Sequence, residues 1–556
     1  MFPSVACAPA VLSFAMVVSG QSMDIMTALS SIALRGFKVE RGTPEVVACL
    51  VAIFIALQPH AADCQAPGIQ WQASLGGTWW DQASEMVATS DGGFIAAGIT
   101  SSQDGDVSGH HGDVDIWVVK MDSNGGLQWS KCLGGSQGEG CGGIEETSDG
   151  GYIVLGSTSS NDGDVSASSG FGDMWFVKLS NTGTIQWEEA IGTGIPIFVS
   201  GYSVHQLDDG GFVGVGQTGT GHILVTKLSS TGALEWNLSL VGNSNESPSD
   251  IIQASNGDLL LVGHTGSNDS TFPGNHGSLD IFVTRISSLG NVLWTKLYGG
   301  SDYDNGYRIE KRSLGGYYVL GWTWSDDGDV MFNNGFTDGW LLSIDESGNL
   351  ISQQTFGGSG ADRLDGMAVR SNDAIVLAGR SESDDGYVNC TPIDSASLVW
   401  VLEVTPNGVV SWSGCYGGSN DEVARAIIEK NDGTLVVFAD SWSNDGDVLM
   451  NHDPSGFSPD WWIFQLGTAS SVNSHPESLE VHVFPNPCSS YCDMKFVYPG
   501  HASLGLYNSR GELLVSDRTE QGDYTLDMTK LSEGVYILRV STERGTEHHR
   551  ISKIDY

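Results

Sequence analysis

The chain has 556 residues, and its 67 Asp+Glu outweigh 25 Lys+Arg to leave a formal charge of −42. That length exceeds one ordinary domain, and that charge repels nucleic acid and anionic membrane surfaces, so neither is expected as a partner. Gly supplies 74 residues, nearly twice the usual share of roughly 7%, beside 40% hydrophobic residues; collagen and disorder are excluded, and many short strands joined by glycine turns are favoured.

The N-terminal apolar run Val46 to Leu57 falls well short of the roughly 20 residues a membrane-spanning helix needs, so no transmembrane segment is expected. Arg35, Lys38 and Arg41 precede it, and small residues with Pro59 follow, the pattern of a secretory signal. Residues 1–64 are read as a leader region; a second apolar run, Val11 to Val18, leaves an internal start such as Met26 open. Export permits disulfides. Cys488 with Cys492 and Cys132 with Cys141 would each close a short loop and are the expected pairs, whereas Cys390 and Cys415 stay open between a bridge and free thiols.

From residue 67 to 468 the sequence repeats. Gly-x-hydrophobic-x-Trp recurs with Trp71, Trp129, Trp187, Trp236, Trp294 and Trp412, and Ser352 stands where one more is due. One unit reads as a strand Ser84 to Thr89, the turn Asp91-Gly92-Gly93, a strand Phe94 to Thr100, a polar insert, a strand Asp115 to Asp122, the turn Asn124-Gly125-Gly126 and a strand Leu127 to Leu133. Four antiparallel strands at a period near 58 describe a propeller blade. Seven units begin near 83, 141, 200, 248, 305, 362 and 422. The chain enters on a fourth strand, Gly68 to Trp71, and leaves on a third, Asp460 to Leu466, so the N-terminal strand is predicted to complete the last blade and remove the open sheet edges. The Asp-Gly-Gly turns, Asp-x-Trp strands and Gly-x-hydrophobic-x-Trp strands resemble propeller-type repeats of secreted bacterial proteins. The fold expected is all-β: a seven-bladed β-propeller plus a small C-terminal β-sandwich. The repeated tryptophans are expected to be packing residues. Blade six, with Tyr387 and Cys390, and the shortened blade three depart furthest from the repeat.

The inserts between second and third strands are acidic, with Asp104 and Asp106, Asp162 and Asp164, Asp326, Asp327 and Asp329, and Asp445 and Asp447. Most are followed by a further Asp at the next strand, among them Asp115, Asp173, Asp338 and Asp460. Between 65 and 474 there are 14 basic and 51 acidic residues, a charge of −37. The favoured reading of these thirteen aspartates is that they make Asp-Gly and Asx turns; the alternative is structural Ca²⁺, since oxygen-rich Asp loops with a Gly turn suit a hard cation. No other cofactor is expected. Second-to-third loops and blade links share one face of a propeller, so an acidic rim around the channel is expected there.

Catalysis would need a constellation that breaks the repeat. Gly134-Gly135-Ser136-Gln137-Gly138 matches a nucleophile elbow but is a blade link without a following helix. The scattered histidines form no metal motif. A binding protein is therefore expected rather than an enzyme, taking a glycan or protein on its acidic face as a monomer. The rival is a polysaccharide-acting hydrolase or lyase with its site at the channel mouth.

After a linker, 469–478, residues 479–556 show Pro485-Asn486-Pro487, then Gly511, then Leu531, Gly534, Tyr536 and Val540 in one strand motif, then Lys553-Ile554. This order resembles the type A C-terminal sorting domain of the type IX secretion system of Bacteroidetes. The resemblance implies a small sandwich recognised by the outer-membrane machinery, and a protein secreted or attached to the outer cell surface. Asp555-Tyr556 and the Cys488/Cys492 pair depart from the pattern.

Overall fold

The computed structural model describes residues 64–467 apart from 169–171, 193–197, 389, 391–395 and 454. In the tail it describes 470–471, 480–484, 488–497, 502–508, 513–519, 523–532, 534–542 and 545–553, and before residue 64 only 15–18 and 21–24. Apart from those short stretches the leader reading falls outside the described residues, and so does most of the linker. No helix among the described residues is long and apolar enough to cross a membrane.

Seven four-stranded antiparallel sheets follow one another, their first strands starting at Asp81, Glu139, Val199, Glu246, Asp304, Asp362 and Glu422. Blade one comprises Asp81–Ala88, Phe94–Thr100, Asp115–Met121 and Leu127–Leu133. Blade seven takes three strands from Glu422–Glu429, Leu435–Ser441 and Asp460–Leu466, and its fourth is the N-terminal Ile69–Leu75, paired from Trp461↔Leu75 to Leu466↔Ile69. The ring is closed as the repeat phase predicts. The seven first strands together line a central channel.

Burial follows strand position. Third strands such as Asp115–Met121 are buried at every residue, because neighbouring blades cover both faces, whereas the fourth strand Leu127–Leu133 is exposed at its start. The third-strand tryptophans Trp117, Trp175, Trp340 and Trp400 are fully buried. Five of the six fourth-strand tryptophans have a different role, each lying over the glycine turn of the next blade, while Trp412 is buried in the core. Gly125 has φ +81°, and a side chain on it would place its first carbon 2.8 Å from the Trp71 ring. Glycine there serves both the left-handed turn and the seat of the indole. Trp129 covers Gly183 in the same way.

Cys390 and Cys415 form a disulfide that ties the insert of blade six to its fourth strand. Cys488 and Cys492 are bonded as expected, but Cys132 and Cys141 are free thiols. The loop between them is short, yet Cys132 ends an outer strand of blade one while Cys141 lies in the innermost strand of blade two.

The chain divides into two compact units, Met1–Ser471 and Val472–Tyr556. In the second, one sheet is ordered 480–484, 491–497, 523–527 and another 513–519, 502–507, 534–542, 545–553. Cys492 and Leu526 from the first share a core with Leu504, Leu506, Leu538, Val540 and Ile551 from the second.

Candidate functional site

The insert-bearing face brings the predicted aspartates together, but by hydrogen bonds to backbone. Asp104, Asp162, Asp327 and Asp445 accept the N–H of Thr78, Ser136, Ser301 and Ser419 in the adjacent blade link at 2.7–2.8 Å. Asp385 does the same for Ser359 at 2.6 Å. The hydroxyl and N–H of Thr78 hold the Asp104 carboxyl below the usual range. Asp106, Asp329 and Asp447 receive longer contacts, 3.2–3.3 Å, from Gly76, Gly299 and Gly417. Asp164 Oδ2 is buried without a hydrogen bond, 4.0 Å from His111 Nε2 and from Lys131 Nζ. Asp326 is exposed.

The aspartates that open the third strands lie deeper. Asp115, Asp173, Asp280, Asp338 and Asp460 are all buried. In three of them Oδ2 is bound by a histidine through its backbone N–H and its ring Nδ1, the ring contacts being His111–Asp115 at 2.7 Å, His276–Asp280 at 2.6 Å and His452–Asp460 at 2.6 Å. Asn334 plays that part for Asp338. The other oxygen, Oδ1, of Asp115, Asp280, Asp338 and Asp460 is buried with no hydrogen-bond partner.

A second carboxylate comes close to that oxygen, from the first strand of the next blade. A side chain on Gly299 would place its first carbon 2.7 Å from both Asp280 Oδ1 and Asp304 Oδ2; on Gly76 the corresponding distances are 2.5 Å to Asp460 Oδ1 and 2.7 Å to Asp81 Oδ2. Asp81 accepts hydrogen bonds from Gly77 N–H at 2.7 Å, Thr100 at 2.5 Å and Ser102 at 2.8 Å. Burial, helped by the neighbouring carboxylate, pushes Asp81, Asp304 and Asp338 up to about 6. Among the described residues no three His, Cys, Asp or Glu side chains converge as a ready metal ligand set.

The channel itself holds a cavity of about 480 Å³. Its wall is charged where the repeat diverges. Arg308 pairs with Glu85, and His205 Nδ1 lies 3.2 Å from Glu145. Asp250 accepts from Ser203 Oγ at 2.9 Å and Ile309 N at 3.1 Å. Glu310 meets solvent in the channel, but protein encloses it on every side. Desolvation and the nearby Asp250 push its carboxyl up to about 7.

At the mouth on the insert-bearing face, two positions per blade flank the channel: the residue before the first strand and the residue after the second. Their backbones pair, as Ser101 N–H donates to Trp80 O and Trp324 N–H to Tyr303 O. Blade five carries aromatics at both positions, Tyr303 and Trp324; blades one, three and seven carry one each, Trp80, Phe198 and Trp442, beside Ser101, Gly219 and Asp421. Tyr303 and Trp324 pack edge to face at 5.1 Å, Phe336 covers Trp324 at 5.1 Å, and Trp80 meets Trp442 at 6.3 Å. Trp80 and Tyr303 are each 42% exposed and Phe336 is 66% exposed, whereas Trp324 and Trp442 are half-buried against them. Sequence reasoning missed them because it followed what repeats; the available signal was that these two positions change from blade to blade.

Of the tail motif, Tyr536 is buried with its hydroxyl donating to Ser532 O at 2.6 Å, Val540 and Lys553 are buried, Leu531 is half-buried and Gly534 begins a strand. Pro485, Asn486, Pro487 and Gly511 lie outside the described residues. The family model described as "Secretion system C-terminal sorting domain" matches residues 482–553. The chain ends in a type IX sorting domain. The protein is therefore exported by that system and is secreted or held at the cell surface. No curated protein matches the chain. Among solved structures, a lectin, BP39L from Burkholderia pseudomallei, is similar over 65% of this chain and 94% of its own, at 8% identity and a TM-score of 0.38. A quinohemoprotein alcohol dehydrogenase from Comamonas testosteroni is similar over 77% and 84%, at 10% identity and a TM-score of 0.39. YCF48 bound to D1 peptide covers 73% and 98%, at 8% and 0.38. At such values no ligand or activity passes from them to this chain.

Proposed function

We propose that the exported propeller is a binding protein that takes a glycan chain at the channel mouth on its insert-bearing face. The observation that supports this is a set of clustered aromatic rings on the rim, Trp80 with Trp442 and Tyr303 with Trp324 and Phe336, of which Trp80, Tyr303 and Phe336 are exposed and Trp324 and Trp442 half-buried. Indole and phenol rings offer large apolar area at small entropic loss, and a pyranose face stacks on them while its hydroxyls meet the polar channel wall. Ca²⁺ enters this reading as a structural cation at the blade junctions, supported by the orphaned Oδ1 atoms of Asp115, Asp338 and Asp460; water and backbone carbonyls would supply its remaining ligands.

A glycan array probed with the full-length protein, with reducing-sugar release measured in parallel, tests the reading. Binding that is lost in the Trp80→Ala/Trp442→Ala variant, without release of reducing ends, supports it. Release of reducing ends would move the protein to the hydrolase class, and retention of binding in the variant would place the site elsewhere.

A further inference from the structure

Between the two aromatic groups blade six carries two arginines that make no ion pair among the described residues. Arg363 and Arg380 stand directly opposite each other on the first and second strands of blade six, an arrangement of like charges that destabilises a strand pair. Neither makes an ion pair or a side-chain hydrogen bond among the described residues, and Arg363 Nε is buried without a partner. Arg363 stacks over the Trp322 ring at 4.5 Å.

The surrounding carboxylates leave them in excess. Arg425, from blade seven, takes Asp440 at 2.8 Å and lies 4.0 Å from Asp365, and Arg308 is held by Glu85. Asp365 attracts Arg425, Arg363, Arg380 and Arg308 together, and while Arg425 and Arg308 have Asp440 and Glu85 as closer partners, Arg363 and Arg380 have no carboxylate of their own among the described residues. Glu382, on the rim, is exposed. The Trp322 stack and the shared Asp365 offset only part of the cost of two opposed arginines. A ligand offsets the rest: guanidinium groups are planar, weakly hydrated and matched to the two oxygens of a carboxylate or sulfate, and stacking on an indole leaves their N–H edges free.

We infer that the arc of blades five to one binds an acidic saccharide, with a uronate carboxylate or sulfate ester held by Arg363 and Arg380 and sugar rings stacked on Trp324 at one side and Trp442 at the other. This deepens the glycan-binding reading and rests on it. The acidic inserts around the mouth would add selectivity by repelling anions that do not reach the arginines.

The test is a set of calorimetric titrations of the full-length protein with polygalacturonate, its methyl ester, dextran sulfate and dextran, repeated with Arg363→Gln/Arg380→Gln and with Trp442→Ala. The wild type is expected to bind polygalacturonate or dextran sulfate at least tenfold more tightly than the neutral counterpart; whichever polymer shows the gap identifies carboxylate or sulfate. The arginine variant, its fold checked by an unchanged Tm, should close that gap and keep the neutral affinity, whereas Trp442→Ala should weaken both. Equal affinity for charged and neutral polymers, or a gap that survives in the arginine variant, overturns this inference alone. Absence of binding to all four polymers overturns the glycan reading with it.

Discussion

The paired carboxylates at the blade junctions make a prediction with a definite sign. At the junction of blades four and five, Asp304 is pushed from 3.8 up to about 6, first by burial and also by Asp280, whose own carboxyl is raised. An acid whose folded pKa is raised disfavours folding once it ionises. The penalty is absent below pH about 4, grows between 4 and 6, and is complete above 6. A shift of that size corresponds to about 3 kcal/mol at pH 8, most of it desolvation and only part of it the repulsion from Asp280. Asp280→Asn removes that repulsion, keeps an oxygen for the two His276 bonds of 2.9 and 2.6 Å, and points an N–H at Asp304 from the position of the orphaned Oδ1. The variant should gain about 1 kcal/mol at pH 8 and nothing at pH 4. Urea unfolding in EDTA at both pH values measures it. A variant destabilised equally at pH 4 and pH 8, or one whose stability falls between pH 4 and 6 as steeply as the wild type, would refute the reasoning.

Further predictions concern the ring, the channel and the thiols. Trp71→Ala removes the stack on Gly125 and the 2.9 Å bond from Trp71 Nε1 to Gln465 Oε1 that help lock the closing strand. It should cost about 3 kcal/mol and bring proteolytic cleavage near residue 69, read by limited proteolysis. Arg308→Met leaves Glu85 in the channel without its partner and should cost about 3 kcal/mol at pH 7, most of it recovered in Arg308→Met/Glu85→Gln; chemical unfolding of the two variants decides. Burial pushes the Cys132 and Cys141 thiols up to about 12, so iodoacetamide at pH 8 should label neither until the protein is unfolded. Rapid native labelling would show that the blade one–blade two seam opens.

The architecture was legible because it repeats. A period near 58, two glycine turns per unit and a strand phase offset at both ends specify seven blades and their closure by Ile69–Leu75. The insert aspartates were harder. Asp104 or Asp162 in an Asp-Gly loop has the composition of a cation ligand, but the N–H of the neighbouring link takes the carboxylate. Those links are distant in sequence, and only the folded blade brings them together. The binding mouth was least legible, because Trp442, Trp324, Arg363 and Arg380 occupy positions at which the blades differ, and periodicity reports only what the blades share. Cys132 and Cys141 show the converse error: nearness in sequence suggested a bond that their places in outer and inner strands forbid.

The central claim is that the clustered aromatics at the rim of the channel mouth, not the repeated packing tryptophans, form the ligand site. Hydroxyl-radical footprinting of the full-length protein, with and without the tightest-binding glycan of the array, tests it directly. The account predicts protection of Trp80, Tyr303, Trp324 and Trp442 with no change at Trp71, Trp129 or Trp187. Protection of the fourth-strand tryptophans, or an unprotected mouth in the bound protein, would contradict it.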